Sequence, residues 1–268
     1  MSVLPALQAE LASATNQLLA TAASLTDADL AAPSRLPGWT RGHVLAHVAR
    51  NADSHLNLLT WARTGVRTPQ YASLQDRTAG IESAAGQPAA RHLADLEEGA
   101  ARLAAAVRDL PREAWSAPVE GMRPPPHPAW YVLVRRLREI GFHHVDLDAG
   151  YGPADWTETF VRRELHDCLA TWPGERGTVS EIRLLDDGRT APHERRWSGL
   201  GDGPAVQGTP RDMLAWLTGR SDGEGVSLVP VGQPFMPGPG GKRLPEPPPW
   251  LTMPAPADLP ATPPEDYP

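Results

Sequence analysis

Glu139 and His143 stand four residues apart in the stretch 136–151, RLREIGFHHVDLDAGY. In a helix that spacing puts a carboxylate and an imidazole on one face, one turn apart, where they can grip a single divalent ion. A third ligand must come from elsewhere. The segment 36–53, LPGWTRGHVLAHVARNAD, offers His43 and His47, one turn from each other, and spacing alone leaves both open. Two histidines and one glutamate leave a fourth position for water or substrate, the pattern of a catalytic rather than a structural ion. Taken singly, these residues have plainer readings. E-x-x-x-H is also an ordinary solvated ion pair, and a lone histidine is most often a hydrogen-bonded helix residue.

The two segments together say more than either alone. Leu36-Pro37-Gly38-Trp39-Thr40, Gly42-His43-Val44, His47, Arg50-Asn51-Ala52-Asp53, Arg138-Glu139 and His143-His144-Val145-Asp146-Leu147 closely resemble the mycothiol-dependent maleylpyruvate isomerase family. That family is part of the DinB-like superfamily of metal-binding four-helix bundles. The resemblance runs well through residues 1–150 and more loosely through 151–220. It implies that His47, not His43, joins Glu139 and His143 in binding Zn²⁺ or another divalent metal. It implies a low-molecular-weight thiol as cosubstrate, mycothiol in the family. It also points to Arg77, in QDRTAGIE, as an arginine near the metal, and to Arg220, in MLAWLTGR, as a second cation. The plainer readings are an exposed arginine on a short helix for Arg77 and a helix-end cap for Arg220.

Around the ligands, spacing assigns supporting roles. Asn51, one turn after His47, is placed to hold its second nitrogen, and Asp146 to orient His143. His144 points about 100° away from His143 and is a poor ligand. Trp39 is expected to pack the start of its helix. Gly141, between the two ligands, is a departure from the family, which usually has a larger residue there.

Four long amphipathic helices are needed to position these groups. Leu4, Leu7, Leu11, Leu18, Ala22 and Leu25 recur at helical spacing. Thr26 and Asp29 form a capping-box pattern before Pro33. Thr40 is the expected N-cap of a second helix ending near Gly65, with Val44, Val48, Ala52, Leu56 and Leu59 as its buried stripe. Leu93, Leu96, Ala100, Leu103, Val107 and Leu110 mark a third. Trp130, Leu133, Leu137, Ile140 and Leu147 mark a fourth, over 129–148, with Glu139 and His143 flanking the stripe. Residues 66–90 carry Pro69, Gly80, Gly86 and Pro88 and are less regular. Residues 116–129 read as a Pro-rich loop, with His127 at the surface.

Beyond Gly152 the pattern changes. A helix is expected over Glu158–Ala170, holding Cys168 as a buried small hydrophobe. Strands are expected over 179–185 and 194–198, joined through Asp187-Gly188, then a helix over 209–219 and a strand over 226–229. From Pro230 onward 14 of 39 residues are proline, which reads as an extended tail anchored by Trp250 and Leu251. The fold class is therefore α+β: a DinB-like four-helix bundle (1–150), a small α/β domain (151–230) and a Pro-rich tail (231–268).

Composition narrows the function. The chain has 268 residues, 41% of them hydrophobic, enough for one large or two modest cores. A net charge of −7 without a basic block argues against nucleic acid. One cysteine excludes an intrachain disulfide. With no signal peptide and no apolar run of membrane-spanning length, the expectation is a soluble cytoplasmic protein. Its partners are then a thiol and a small, electrophilic, anionic substrate; the oligomeric state is not legible. A metal-held thiol is a nucleophile at neutral pH. Thiolate addition to a cis double bond, rotation and elimination would make the protein an isomerase. A metal-dependent thiol S-transferase and a non-catalytic metal-binding bundle are the alternatives.

Overall fold

The computed structural model describes residues 2–174, 177–185, 195–229, 243–247 and 254–268. It separates into two compact units. The first comprises Met1–Gly152 and Pro254–Tyr267, the second Pro153–Met253 with Pro268. The fold class is α+β, with the helical bundle in the first unit and the four-stranded sheet in the second.

In the first unit α1 (Leu4–Ser24), α3 (Arg41–Thr64), α5 (Ala89–Arg108) and α6 (Tyr131–Asp146) are the long helices. The short α2 (Asp27–Ala31) starts at the Thr26–Asp29 capping box. Thr40 opens α3: its hydroxyl accepts from the backbone N–H of His43, whose ring Nδ1 lies 3.2 Å from the Thr40 backbone N–H. Apolar faces meet where the periodicity placed them. Leu18, Val44, Val48, Leu96, Ile140 and Leu147 form one buried cluster. Leu7, Leu58, Leu103, Trp130, Leu133 and Leu137 form another.

Two loops hold more order than their composition promised. Within 66–90 a full helix, α4 (Leu74–Ala85), starts at Ser73, whose hydroxyl accepts from the Asp76 N–H. It packs along α3, closely enough that a Cβ on Gly42 would collide with the Ala85 carbonyl oxygen. Within 116–129, β1 (Pro118–Val119) pairs antiparallel with β2 (His127–Pro128). His127 is therefore not a surface residue: it is 2% exposed, because the pairing folds the loop back onto α6.

Residues 254–267 lie on the bundle. The Trp130 Nε1–H donates to the Pro260 carbonyl at 2.9 Å, and Val3 N–H donates to the Pro264 carbonyl at 2.7 Å. The Tyr267 ring stands edge-on to Trp130 and Tyr131 at centroid distances of 5.1 and 6.1 Å. The expected anchors Trp250 and Leu251 lie outside the described residues.

In the second unit α7 (Glu158–Ala170) carries the fully buried Cys168. The sheet has the order β4 (Arg195–Ser198), β3 (Glu181–Leu184), β5 (Ala205–Gly208), β6 (Ser227–Leu228). β3 and β5 run parallel, with Ile182 opposite Val206, and the outer pairs are antiparallel. β5 was not expected: AVQG is too short to show an alternation. The expected Asp187-Gly188 turn and Glu194 lie outside the described residues. α8 (Pro210–Leu217) packs on β5 and buries Met213, Leu214 and Trp216.

Candidate metal centre

α3 and α6 pack side by side in the bundle, and that contact brings His47 opposite Glu139 and His143. His47 Nε2 lies 3.0 Å from Glu139 Oε2 and 3.0 Å from His143 Nε2. His143 Nε2 lies 3.4 Å from Glu139 Oε2. Around a tetrahedral ion with bonds of about 2.0–2.1 Å, neighbouring ligand atoms stand about 3.3 Å apart. The triangle of 3.0, 3.0 and 3.4 Å matches one face of such a tetrahedron. Glu139 and His143 keep 27% and 17% side-chain exposure while His47 keeps 4%, so solvent reaches the triangle from the α6 residues rather than from His47. The donor set suits zinc and its neighbours.

Burial and mutual hydrogen bonds set the charge states of the three residues. Burial, reinforced by the charge of His143, pushes His47 down to about 4, so it is neutral at physiological pH. Burial alone would raise Glu139, but hydrogen bonds from His143 and His47 hold its carboxyl well below the usual range. Burial alone would lower His143; hydrogen bonds to Asp146 and Glu139 raise it instead. Asp146 Oδ2 lies 2.9 Å from His143 Nδ1, so Nε2 is the ring nitrogen of His143 that faces the centre.

The structure sorts the neighbours. His43 is engaged elsewhere, with Nδ1 at the Thr40 cap and Nε2 3.3 Å from Glu82 Oε2. His144 stacks on Tyr151 at 3.7 Å and meets Thr21 Oγ1 at 2.7 Å. Asn51 does not hold His47: its side-chain oxygen accepts from Arg136 Nη1 at 2.6 Å. The second nitrogen of His47 is met instead by Arg77, whose Nη2 donates to Nδ1 at 3.3 Å from the first turns of α4. Trp39 does more than pack the helix start. Its ring stacks 6.0 Å from His43 and stands edge-on to His47 at 5.7 Å. Arg220 belongs to the second unit, where Nη1 donates to the Thr218 carbonyl at 2.6 Å.

Arg77, which meets His47, also lines a cavity of about 210 Å³ together with Ser54, Gln70, Tyr71 and Asp76. The Tyr71 ring faces the Arg77 guanidinium at 5.9 Å. Tyr71, on this wall, was missed in the sequence, as were His55 of α3 and Arg135 of α6. One signal was available. Arg135, Glu139 and His143 recur every four residues and form one row along α6.

Residues 11–148 match the mycothiol maleylpyruvate isomerase N-terminal domain. No curated protein matches the chain. Among solved structures, the crystal structure of a mycothiol-dependent maleylpyruvate isomerase superposes with a TM-score of 0.78 at 28% identity, covering 92% of this chain and 97% of that one. A histidine-to-alanine mutant of that isomerase matches equally, at 28% identity and a TM-score of 0.78 with the same coverage. With more than half of its length matched by the family's defining domain, the chain belongs to the mycothiol maleylpyruvate isomerase N-terminal domain family.

Proposed function

We propose that this protein is a metal- and thiol-dependent cis–trans isomerase, acting on maleylpyruvate or a closely similar unsaturated keto acid with mycothiol as cosubstrate. The observation that carries the reading is the convergence of His47, Glu139 and His143 on one point, at ligand spacing, in a half-open site. The likeness to the isomerase over nearly the whole length of both chains supports it.

His47, Glu139 and His143 would hold the divalent ion. When bound, the ion supplies Lewis acidity, which keeps a thiol ionised near neutral pH. The residues of the chain do the rest. Asp146 fixes the proton of His143 on Nδ1. Trp39 walls one side of His47 with an apolar ring and excludes water there. Arg77 is proposed to hold a carboxylate of the substrate, from its place on the cavity wall. Arg220 is proposed as the partner of a second carboxylate, on the strength of the sequence pattern around it.

The chemistry is conserved in atoms and electrons. The thiolate adds to one carbon of the cis double bond, and the electron pair of that bond moves onto the conjugated carbonyl as an enolate. The former double bond turns as a single bond. The enolate then expels the thiolate, and the double bond re-forms as trans. The test is a thiol-by-substrate screen on metal-loaded protein, with products separated. Free trans isomer with the thiol recovered is expected. An accumulating thioether would make the protein a thiol S-transferase. Inertness with every thiol would leave a metal-binding bundle without this activity.

A further inference from the structure

Arg135 stands one turn before Glu139 on the same row of α6. An arginine and a glutamate four residues apart on a helix ordinarily pair. Here they do not: the Glu139 carboxylate turns to His47 and His143. Among the described residues Arg135 makes no salt bridge, and its one side-chain hydrogen bond runs from Nη1 to His127 Nε2 at 3.4 Å. His127 is a neutral partner. Its Nδ1–H donates to the Pro128 carbonyl at 3.1 Å, so Nε2 offers Arg135 only a lone pair. The anchor fixes the guanidinium without cancelling its charge.

The surroundings are shaped for this cation. The β1–β2 loop leaves it room at Gly121, where a Cβ would collide with Nη1. That loop is held in turn by Met122 N–H donating to Gln70 Oε1 at 2.8 Å. His55, 1% exposed, donates Nδ1–H to the Asn51 carbonyl at 2.8 Å, and its Nε2 has no hydrogen-bond partner. Arg135 and Arg136 lie near enough to His55 to act on its charge, and Tyr71 and Glu139 near enough to act on Arg135. A half-buried guanidinium without a carboxylate, beside a buried ring nitrogen without a partner, is costly in a bundle unless something pays that cost when it binds.

We infer that Arg135 is a carboxylate-binding residue of this site. It takes an anionic end of the substrate one turn along α6 from the metal ligands, with His127 and Gly121 positioning its guanidinium. The inference rests on the proposed isomerase reading for the identity of the substrate, but not for the presence of the anion subsite.

The experiment is titration of the full-length protein with maleate, followed by calorimetry and by thermal melting. It is run on metal-loaded and on chelator-treated samples, so that binding to the ion is separated from binding to the arginine. Arg135→Met should weaken maleate binding at least tenfold in both samples. It should also abolish the maleate-induced rise in melting temperature, leave metal content unchanged, and melt no lower than wild type, because an unneutralised cation has been removed. Gly121→Ala keeps the charge but displaces the guanidinium, and should weaken maleate binding as well. If wild type binds no maleate, or if Arg135→Met binds it as wild type does, the inference is overturned. A lower melting temperature in Arg135→Met with unchanged maleate affinity would make Arg135 a structural residue. Maleate binding lost in Arg135→Met, in a protein that isomerises nothing, would sink the isomerase reading and leave the subsite standing.

Discussion

Asp146 Oδ2 lies 2.9 Å from His143 Nδ1, and Asp146 itself is 1% exposed. The carboxylate is held out of water in contact with the far side of a proposed ligand, where it sets which nitrogen of His143 carries the proton. Asp146→Asn keeps the shape but removes the charge. Metal affinity, read by competition with a chromogenic chelator, is expected to fall about 10–100-fold. An unchanged affinity would mean that Asp146 serves only the packing of α6.

The ligand assignment separates histidines that spacing alone cannot. His47→Ala, Glu139→Ala and His143→Ala should each remove stoichiometric metal. His43→Ala and His144→Ala should keep it. His43→Ala should instead lower stability, by about 1 kcal/mol, because its ring closes the capping box at Thr40. Metal lost from His43→Ala and kept by His47→Ala would reverse the assignment.

Arg77→Ala should reduce kcat/KM about tenfold or more, the worth of one charge-assisted hydrogen bond of about 1.5–3 kcal/mol. Metal affinity should hold or rise. When His47 binds an ion through Nε2, its Nδ1 carries the proton, and a guanidinium donor facing that nitrogen is unhelpful. Arg220→Ala should give a comparable kinetic loss without a change in melting. Intact turnover with a small loss of stability would return Arg220 to the end of its helix.

Two rings other than the three proposed ligands contribute to the pH dependence of folding. Burial and the charge of Arg135 push both His55 and His127 down to about 3. Both are neutral in the folded chain down to that pH, while the unfolded chain protonates them near 6.5. The unfolded state therefore binds more protons between those values. Stability is whole above pH 6.5 and is lost as the pH falls, by about 1.4 kcal/mol per unit for each ring. Urea unfolding from pH 7 to 5 should show the loss, and His55→Gln should flatten it by the share of one proton. A variant with the wild-type slope would show that His55 is not neutral in the folded protein.

Long helices and their ends were legible because 3.6-residue periodicity and caps such as Thr26 and Thr40 are local signals. The Glu139–His143 pair was legible for the same reason. The choice of His47 over His43 was not, since both lie on one helix and only the packing of α3 against α6 separates them. His127 was misjudged because four nearby prolines read as solvent-exposed loop, and a two-residue strand pairing leaves no pattern. Asn51 had the right spacing for His47, but the buried Arg136 claims its oxygen. Arg135 stood in plain view at i−4 from Glu139. What could not be read was the failure of that pair to close.

The segment 254–267 has a consequence for how the bundle forms. Helical bundles usually fold fast because their contacts are local in sequence. Here Trp130 is bonded to a carbonyl 130 residues later, and Val3 to that of Pro264. Between the last helix of the bundle and the segment that covers it lies the whole second unit. The apolar faces of Trp130 and Tyr131 thus stay uncovered until that unit has been made and traversed. A chain cut after Gly152 keeps all three proposed metal ligands yet leaves those two rings exposed, and it should be a slow, aggregation-prone folder rather than a minimal enzyme.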